Sequence, residues 1–300
     1  MPSATIRTNW KGLLHLFVVY LVWSSTYLAI RVAVRPEGGF PPFAFGALRV
    51  ILGGLVLLLW ARLAGQRIRL SGREMLVLAG SGLLLWTGGN GFLMWAEQRI
   101  ASGYAALLVA STPIWVAILE SVLDRKLPTF LLVLFLLTGF AGTGLLSVPS
   151  LCSGQAAEVL PVLALMLGSF CWGAGSLLHH RNPLEVSSRV SAAYQQLFGC
   201  GGFLLMSLVS REPLPRPTLA AWWALAYLLL FGSILAYTSY LRALELLPTR
   251  IVFTYAYVNP VLAVFLGWLF LQEPVTGWTM AGAMLVLMGV AGVFRARSRH

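Results

Sequence analysis

Ten apolar runs of about twenty residues follow one another along the chain, and each ends in a short polar or proline-bearing break. A run of that length crosses a bilayer as a helix. The pattern predicts helices near 12–34, 43–62, 74–96, 102–123, 129–148, 159–178, 189–210, 219–241, 250–270 and 276–294. The breaks carry loop chemistry, as at Arg35-Pro36-Glu37, Asp124-Arg125-Lys126, Pro149 to Gly154, Glu212-Pro213 and Glu273-Pro274. No small-residue cleavage site follows the first run, so it reads as helix one rather than as a removed signal.

Two of the runs are interrupted alike. Val109 to Pro113 and Tyr255 to Pro260 each set a proline inside an apolar stretch, and Pro113 lies 147 positions before Pro260. Proline has no N–H for the carbonyl four residues back, so Ala256 C=O needs another partner. At bilayer depth that is tolerated only beside protein or a water-filled cavity. The same displacement lays Ala96 on Ala243, Ser102 on Thr249 and Gly142 on Gly289, and Trp23 meets Trp172 at a displacement of 149. Each half, 1–148 and 159–300, then holds five helices, joined by a periplasmic linker at 149–158. Five is odd, so the second copy enters the membrane upside down. Interrupted helices at matching places in inverted halves mark a transporter's central site.

Composition agrees with that reading. Hydrophobic residues make up 58% and charged residues 10% of the 300 positions, where a soluble domain carries about 25% charged. The mean hydropathy is +0.81. The fold class is therefore an all-α polytopic membrane protein. The net charge of +11 does not point to nucleic acid, because the basic residues sit in short loops. With the N-terminus inside, the inner segments hold 15 Lys and Arg and the outer segments 5, with Arg49 inside a span. Positive charge favours the cytoplasm, so both termini are expected there. The three cysteines form no framework. No phosphate-cradling loop, His-Glu-x-x-His or Gly-x-Ser-x-Gly signature is present. An enzyme, an ATP drive within this chain, a cofactor and a resident metal are not expected.

Specific stretches also resemble a known family. Trp23 to Arg31, Phe40 to Phe43, Arg49, Gly89-Asn90-Gly91, Ala96 to Gln98, Ser102-Gly103, Leu230 to Ile234 and Tyr255 to Pro260 resemble the EamA family of the drug/metabolite transporter superfamily. They are most similar to its subgroup of inner-membrane exporters called YedA-like, and the match runs over essentially the whole chain. Ser24 departs from the Gly usual in the first motif. The resemblance implies ten helices in two repeats, alternating access, and export of small metabolites or drugs. It implies no particular cargo.

Several residues are candidates for the site. Arg49 lies about 9 Å into helix two, a depth that calls for a partner or for snorkelling to the headgroups. Glu97, at the same outer level, is the candidate partner, although Arg99 in the adjoining loop competes for it. Glu97 is also the one plausible internal proton carrier, protons being the candidate coupling ion. Trp86 and Asn90 share a face of helix three with Glu97. Trp23 and Tyr27 on helix one, Trp172 on helix six, Tyr237 and Tyr240 on helix eight, and Tyr255 and Asn259 on helix nine form stripes at helical spacing, with Thr112 beside Pro113. Aromatic walls with few polar handles suit an amphipathic solute, either amino-acid-like or cationic, and helix packing is the plainer use of the same residues. The expected partners are a small-molecule solute and membrane lipid. The alternatives are a passive facilitator or channel and, further off, a membrane-embedded enzyme.

Overall fold

The structure is a computed structural model describing residues 9–125, 129–131, 133–135, 137–139, 141–142, 145 and 159–297. Among these residues it is helical with no strands. The long helices are α1 (Trp10–Ala33), α2 (Pro42–Leu63), α3 (Gly72–Ala96), α4 (Ser102–Leu123), α6 (Val159–Arg181), α7 (Ser188–Val209) and α8 (Leu219–Leu246), each long and apolar enough to cross a membrane. Helix α9 runs over 249–271 in two pieces, and α10 is Gly277–Arg297. The described residues of 130–145 are helical and stand in the place of α5. The rest of the expected fifth helix, the linker 149–158 and Cys152 lie outside the described residues.

Local chemistry explains the helix starts. Asn9 accepts from Gly12 N at 3.2 Å, Ser71 and Glu74 form a reciprocal cap, and Ser187 accepts from Val190 N at 3.3 Å. Two further starts are held by acids from the other half of the chain. Glu212 accepts from Phe43 N (2.9 Å) and Ala44 N (2.7 Å), while Glu273 accepts from Ser102 N (2.8 Å) and Gly103 N (3.1 Å). A carboxylate at a helix N-terminus satisfies orphan N–H groups and complements the dipole.

The two halves pack as an inverted pair. Gly46 faces Phe203 and Gly53 faces Gln196, so α2 and α7 run antiparallel. Ser102 meets Glu273 at one end and Thr249 meets Glu120 at the other, so α4 and α9 do the same. The contacts of α1 with α8 are matched by those of α6 with α3, with the direction reversed in both cases. Even single bonds repeat. Arg31 donates to Glu97 O near one end, and His180 Nδ1 lies 3.0 Å from Leu244 O near the other. Outward faces stay apolar, with Phe17, Leu21, Leu59, Leu208 and Trp223 exposed.

One interruption falls inside its predicted stretch and the other directly before it, and neither is at the proline itself. In α4 the break is at Ala110–Ser111, and Pro113 sits in the first turn of the continuing helix, where its missing N–H costs nothing. In α9 the break is at Phe253–Thr254, and Pro260 stays inside the helix that begins at Tyr255. Both prolines are buried. A second symmetric irregularity was not predicted. Leu83–Asn90 in α3 and Leu228–Ala236 in α8 are π-helical, a geometry frequent at functional sites.

Close approach requires glycine between α3 and α7. A Cβ on Gly82 would stand 2.5 Å from the Gln195 backbone oxygen. Backbone cannot swing aside as a side chain does, so the helices would have to part. Gly82→Val is expected to destabilise the fold by about 1–3 kcal/mol, read as a lowered thermal midpoint in detergent; an unchanged midpoint would refute this packing.

Candidate functional site

Between the halves lies a central cavity that leaves about 60 Å³ for the centre of a water-sized sphere. That is room for a few waters and not for a drug-sized solute. Its walls include Trp23, Tyr27, Arg49, Trp86, Asn90, Trp172, Tyr237 and Tyr255 from helices α1, α2, α3, α6, α8 and α9. These eight are drawn together from positions scattered over more than 200 residues of sequence.

The aromatic side chains form one connected group. Trp23 and Trp172, matching positions of the two halves, meet edge to face with centroids 5.4 Å apart. Trp23 also packs on Tyr255 at 5.3 Å and on Tyr240 at 4.9 Å, and Trp86 packs on Tyr237 at 4.8 Å. Such contacts add about 0.5–1.5 kcal/mol each beyond area burial. Two of the tyrosine hydroxyls are tied to neighbouring helices. Tyr237 donates to Gln195 Oε1 at 2.8 Å, and Tyr240 pairs with Ser176 Oγ at 2.7 Å.

Three predicted residues stand behind the wall rather than in it. Tyr240 lies fully buried under Trp23 and Trp172. Thr112 turns its hydroxyl to Val109 O at 2.7 Å. Asn259 accepts from Ser24 Oγ at 3.2 Å, which gives the unusual Ser24 a role in tying α1 to α9.

Arg49 is 3% exposed. Its Nε donates to Ser233 Oγ at 2.7 Å, and its guanidinium carbon lies 5.3 Å from the Trp86 ring centre. Gly232 makes the space, since a Cβ there would stand 2.9 Å from Arg49 Nη2. Nη1 is buried with no hydrogen-bond partner. Among the described residues no other charged side chain lines the cavity.

The expected Arg49–Glu97 pair is not formed. Arg49 turns inward to Ser233 and Trp86, whereas Glu97 follows the last residue of α3 near the bundle's end. Arg99 does not take Glu97 either, because it lies over the Trp95 ring at 4.2 Å. Both carboxylate oxygens of Glu97 are buried without a partner, and Arg31 reaches only its backbone carbonyl.

Sequence reasoning missed Ser169, and it carried Thr26, Gly232 and Ser233 only inside family motifs, without a role at the site. It also missed Gln195 and Gln196, both fully buried on α7. Adjacent amides in an apolar run were a signal as visible as Asn90. Glu212 and Glu273 read as loop punctuation, although they cap helices in the opposite half.

Burial raises the Glu97 carboxyl well above its ordinary value; the nearby Arg31 charge works against this and the Glu273 charge adds to it. A carboxyl whose pKa is higher folded than unfolded stabilises the fold at low pH, and that contribution is lost as pH climbs through the raised value. Glu97→Gln is expected to remove this dependence. From about pH 5 to about pH 9, the wild-type melting midpoint should fall relative to that of the variant; parallel profiles would refute the assignment.

Comparison with known proteins follows the same lines. The EamA-like transporter family matches residues 10–148 and again 159–295. The uncharacterized inner membrane transporter YedA of Escherichia coli K12 is 33% identical over 257 residues, covering 84% of this chain and 80% of that protein. The uncharacterized transporter YoaV of Bacillus subtilis strain 168 is 22% identical over 282 residues, covering 93% and 95%. A solved crystal structure with 22% identity superposes with a TM-score of 0.67 over 94% of this chain and 96% of its own, a likeness of fold. Two family matches over nearly the whole length and a bundle of membrane-length helices agree that this multi-pass membrane protein is a member of the EamA-like transporter family.

Proposed function

We propose that the protein is a secondary transporter exporting small amphipathic metabolites across the inner membrane by alternating access, with residues 1–148 and 159–300 as its two inverted repeats. The observation that carries this reading is the central cavity, walled by interrupted helices of both halves and too small for a solute in this conformation. A cavity that must hold more than it now admits has to change shape. The symmetry supplies a second arrangement of equal quality, reached when one half rocks against the other.

The Ser102–Glu273 contact is the candidate latch. Glu273 takes two N–H bonds and the Ser102 hydroxyl, the latter at 2.9 Å. Charge-assisted bonds of this kind are the strong ones. They close α4 on α9 at the end away from the N-terminus. With both termini cytoplasmic, as the basic residues favour, the latch closes the outer mouth. An inner-membrane address follows the name of the Escherichia coli relative.

Protons are the coupling ion this chain can best support, since Glu97 is a buried acid without a partner. A passive facilitator is the second reading, favoured by the position of Glu97 outside the cavity wall. Vesicle flux separates the two. A carrier saturates and is competed, and coupling through Glu97 requires that Glu97→Gln abolish stimulation by a pH gradient. Non-saturating flux would refute the carrier.

The latch has its own test. Leu93 also lines the cavity, and Glu273→Ala is expected to raise severalfold the labelling rate of Leu93→Cys, in a background without Cys152, Cys171 and Cys200, by an impermeant maleimide added outside. An unchanged rate would refute the latch.

A further inference from the structure

We infer that the central cavity is an anion site, in which Arg49 takes the carboxylate of an aromatic or similarly flat solute. The inference deepens the transporter reading and rests on it for the direction of transport, though not for binding.

The charge balance carries it. A guanidinium inside an apolar bundle needs a compensating charge or a full set of acceptors. Arg49 has neither. Ser233 satisfies Nε, the Trp86 face covers the plane, and buried Nη1 has no partner. Glu97, the acid nearest in the sequence argument, spends none of its oxygens on Arg49. The missing acceptor therefore comes from outside the chain.

The geometry selects its class. A guanidinium offers donors in a fixed planar fork that matches two oxygens of one carboxylate. Holding Nε on Ser233 fixes the fork's direction before the solute arrives. Ser169 Oγ, also on the cavity wall and 1% exposed, has no partner and can serve as a second donor. The remaining walls are aromatic and accept a flat apolar body. A cationic solute fares worse. The Trp86 face that would attract it is already under Arg49, and two positive charges would share one low-dielectric space. The cationic alternative raised by the aromatic stripes is thereby disfavoured.

Three probes of one shape test this: phenylacetate, phenylacetamide and phenethylamine, titrated by calorimetry into purified full-length protein in nanodiscs. Phenylacetate is expected to bind at least tenfold more tightly than phenylacetamide, and phenethylamine more weakly than either. Arg49→Gln should erase the preference for the anion, and Arg49→Lys should keep part of it. Ser233→Ala, which frees Nε without removing the charge, should narrow the ratio. The wild-type comparison needs no variant to fold. Equal binding of all three, tighter binding of the amine, binding by none, or a preference untouched in Arg49→Gln would each overturn the proposal. Vesicle flux is the independent readout. Anion binding sensitive to Arg49 without saturable flux would sink the carrier and keep the site, and saturable flux without anion preference would do the reverse.

Discussion

A positive charge sealed inside an apolar bundle is the constraint around which the centre of this protein is arranged. Insertion of an Arg near the middle of a membrane helix costs at least about 2.5–3.5 kcal/mol. The surroundings of Arg49 offset that cost only in part. Ser233 gives one hydrogen bond, Trp86 gives a π-face, and the glycine at 232 allows the approach. Incomplete compensation leaves Arg49 Nη1 without an acceptor, which a structural ion pair would not. A complete salt bridge would stabilise the fold and leave nothing for a ligand to do.

Symmetry places the charge where it matters. Antiparallel packing of α2 on α7 and of α4 on α9 sets the two halves face to face, and Trp23 and Trp172 meet between them. The π-helical stretches of α3 and α8 fall at matching positions, and each contributes a glycine to the cavity wall, Gly89 and Gly232. Widening a helix by one residue per turn shifts its side chains relative to a regular helix. Such irregular turns are frequent at functional sites.

The ends of the bundle differ in chemistry. The end bearing Glu97 and Glu273 holds acids on helix starts, on a serine, or on nothing at all. The other end carries side-chain ion pairs, Arg67 with Glu74, Arg181 with Asp124 at 2.8 Å and Arg242 with Glu245 at 2.6 Å. Two near-equivalent halves are thus joined by different chemistry at their two ends.

The sequence by itself determined the class, the ten apolar segments and the inverted repeat, because a bilayer imposes helix length and backbone saturation on any chain that crosses it. Seven residues it proposed for the wall, and Arg49, which it proposed for a charge pair, line the cavity, since bulky aromatics, a lone Asn and a lone Arg stand out against an aliphatic background. It named a partner for Arg49 that the fold does not supply, carried Gly232 and Ser233 only inside a family motif, and read the capping acids as loop punctuation. Those were decided by tertiary structure. Which carbonyl goes unpaired near a proline, and which of several polar groups a long side chain reaches, depends on helices more than a hundred residues away in sequence, and hydrophobic periodicity carries no information about that distance.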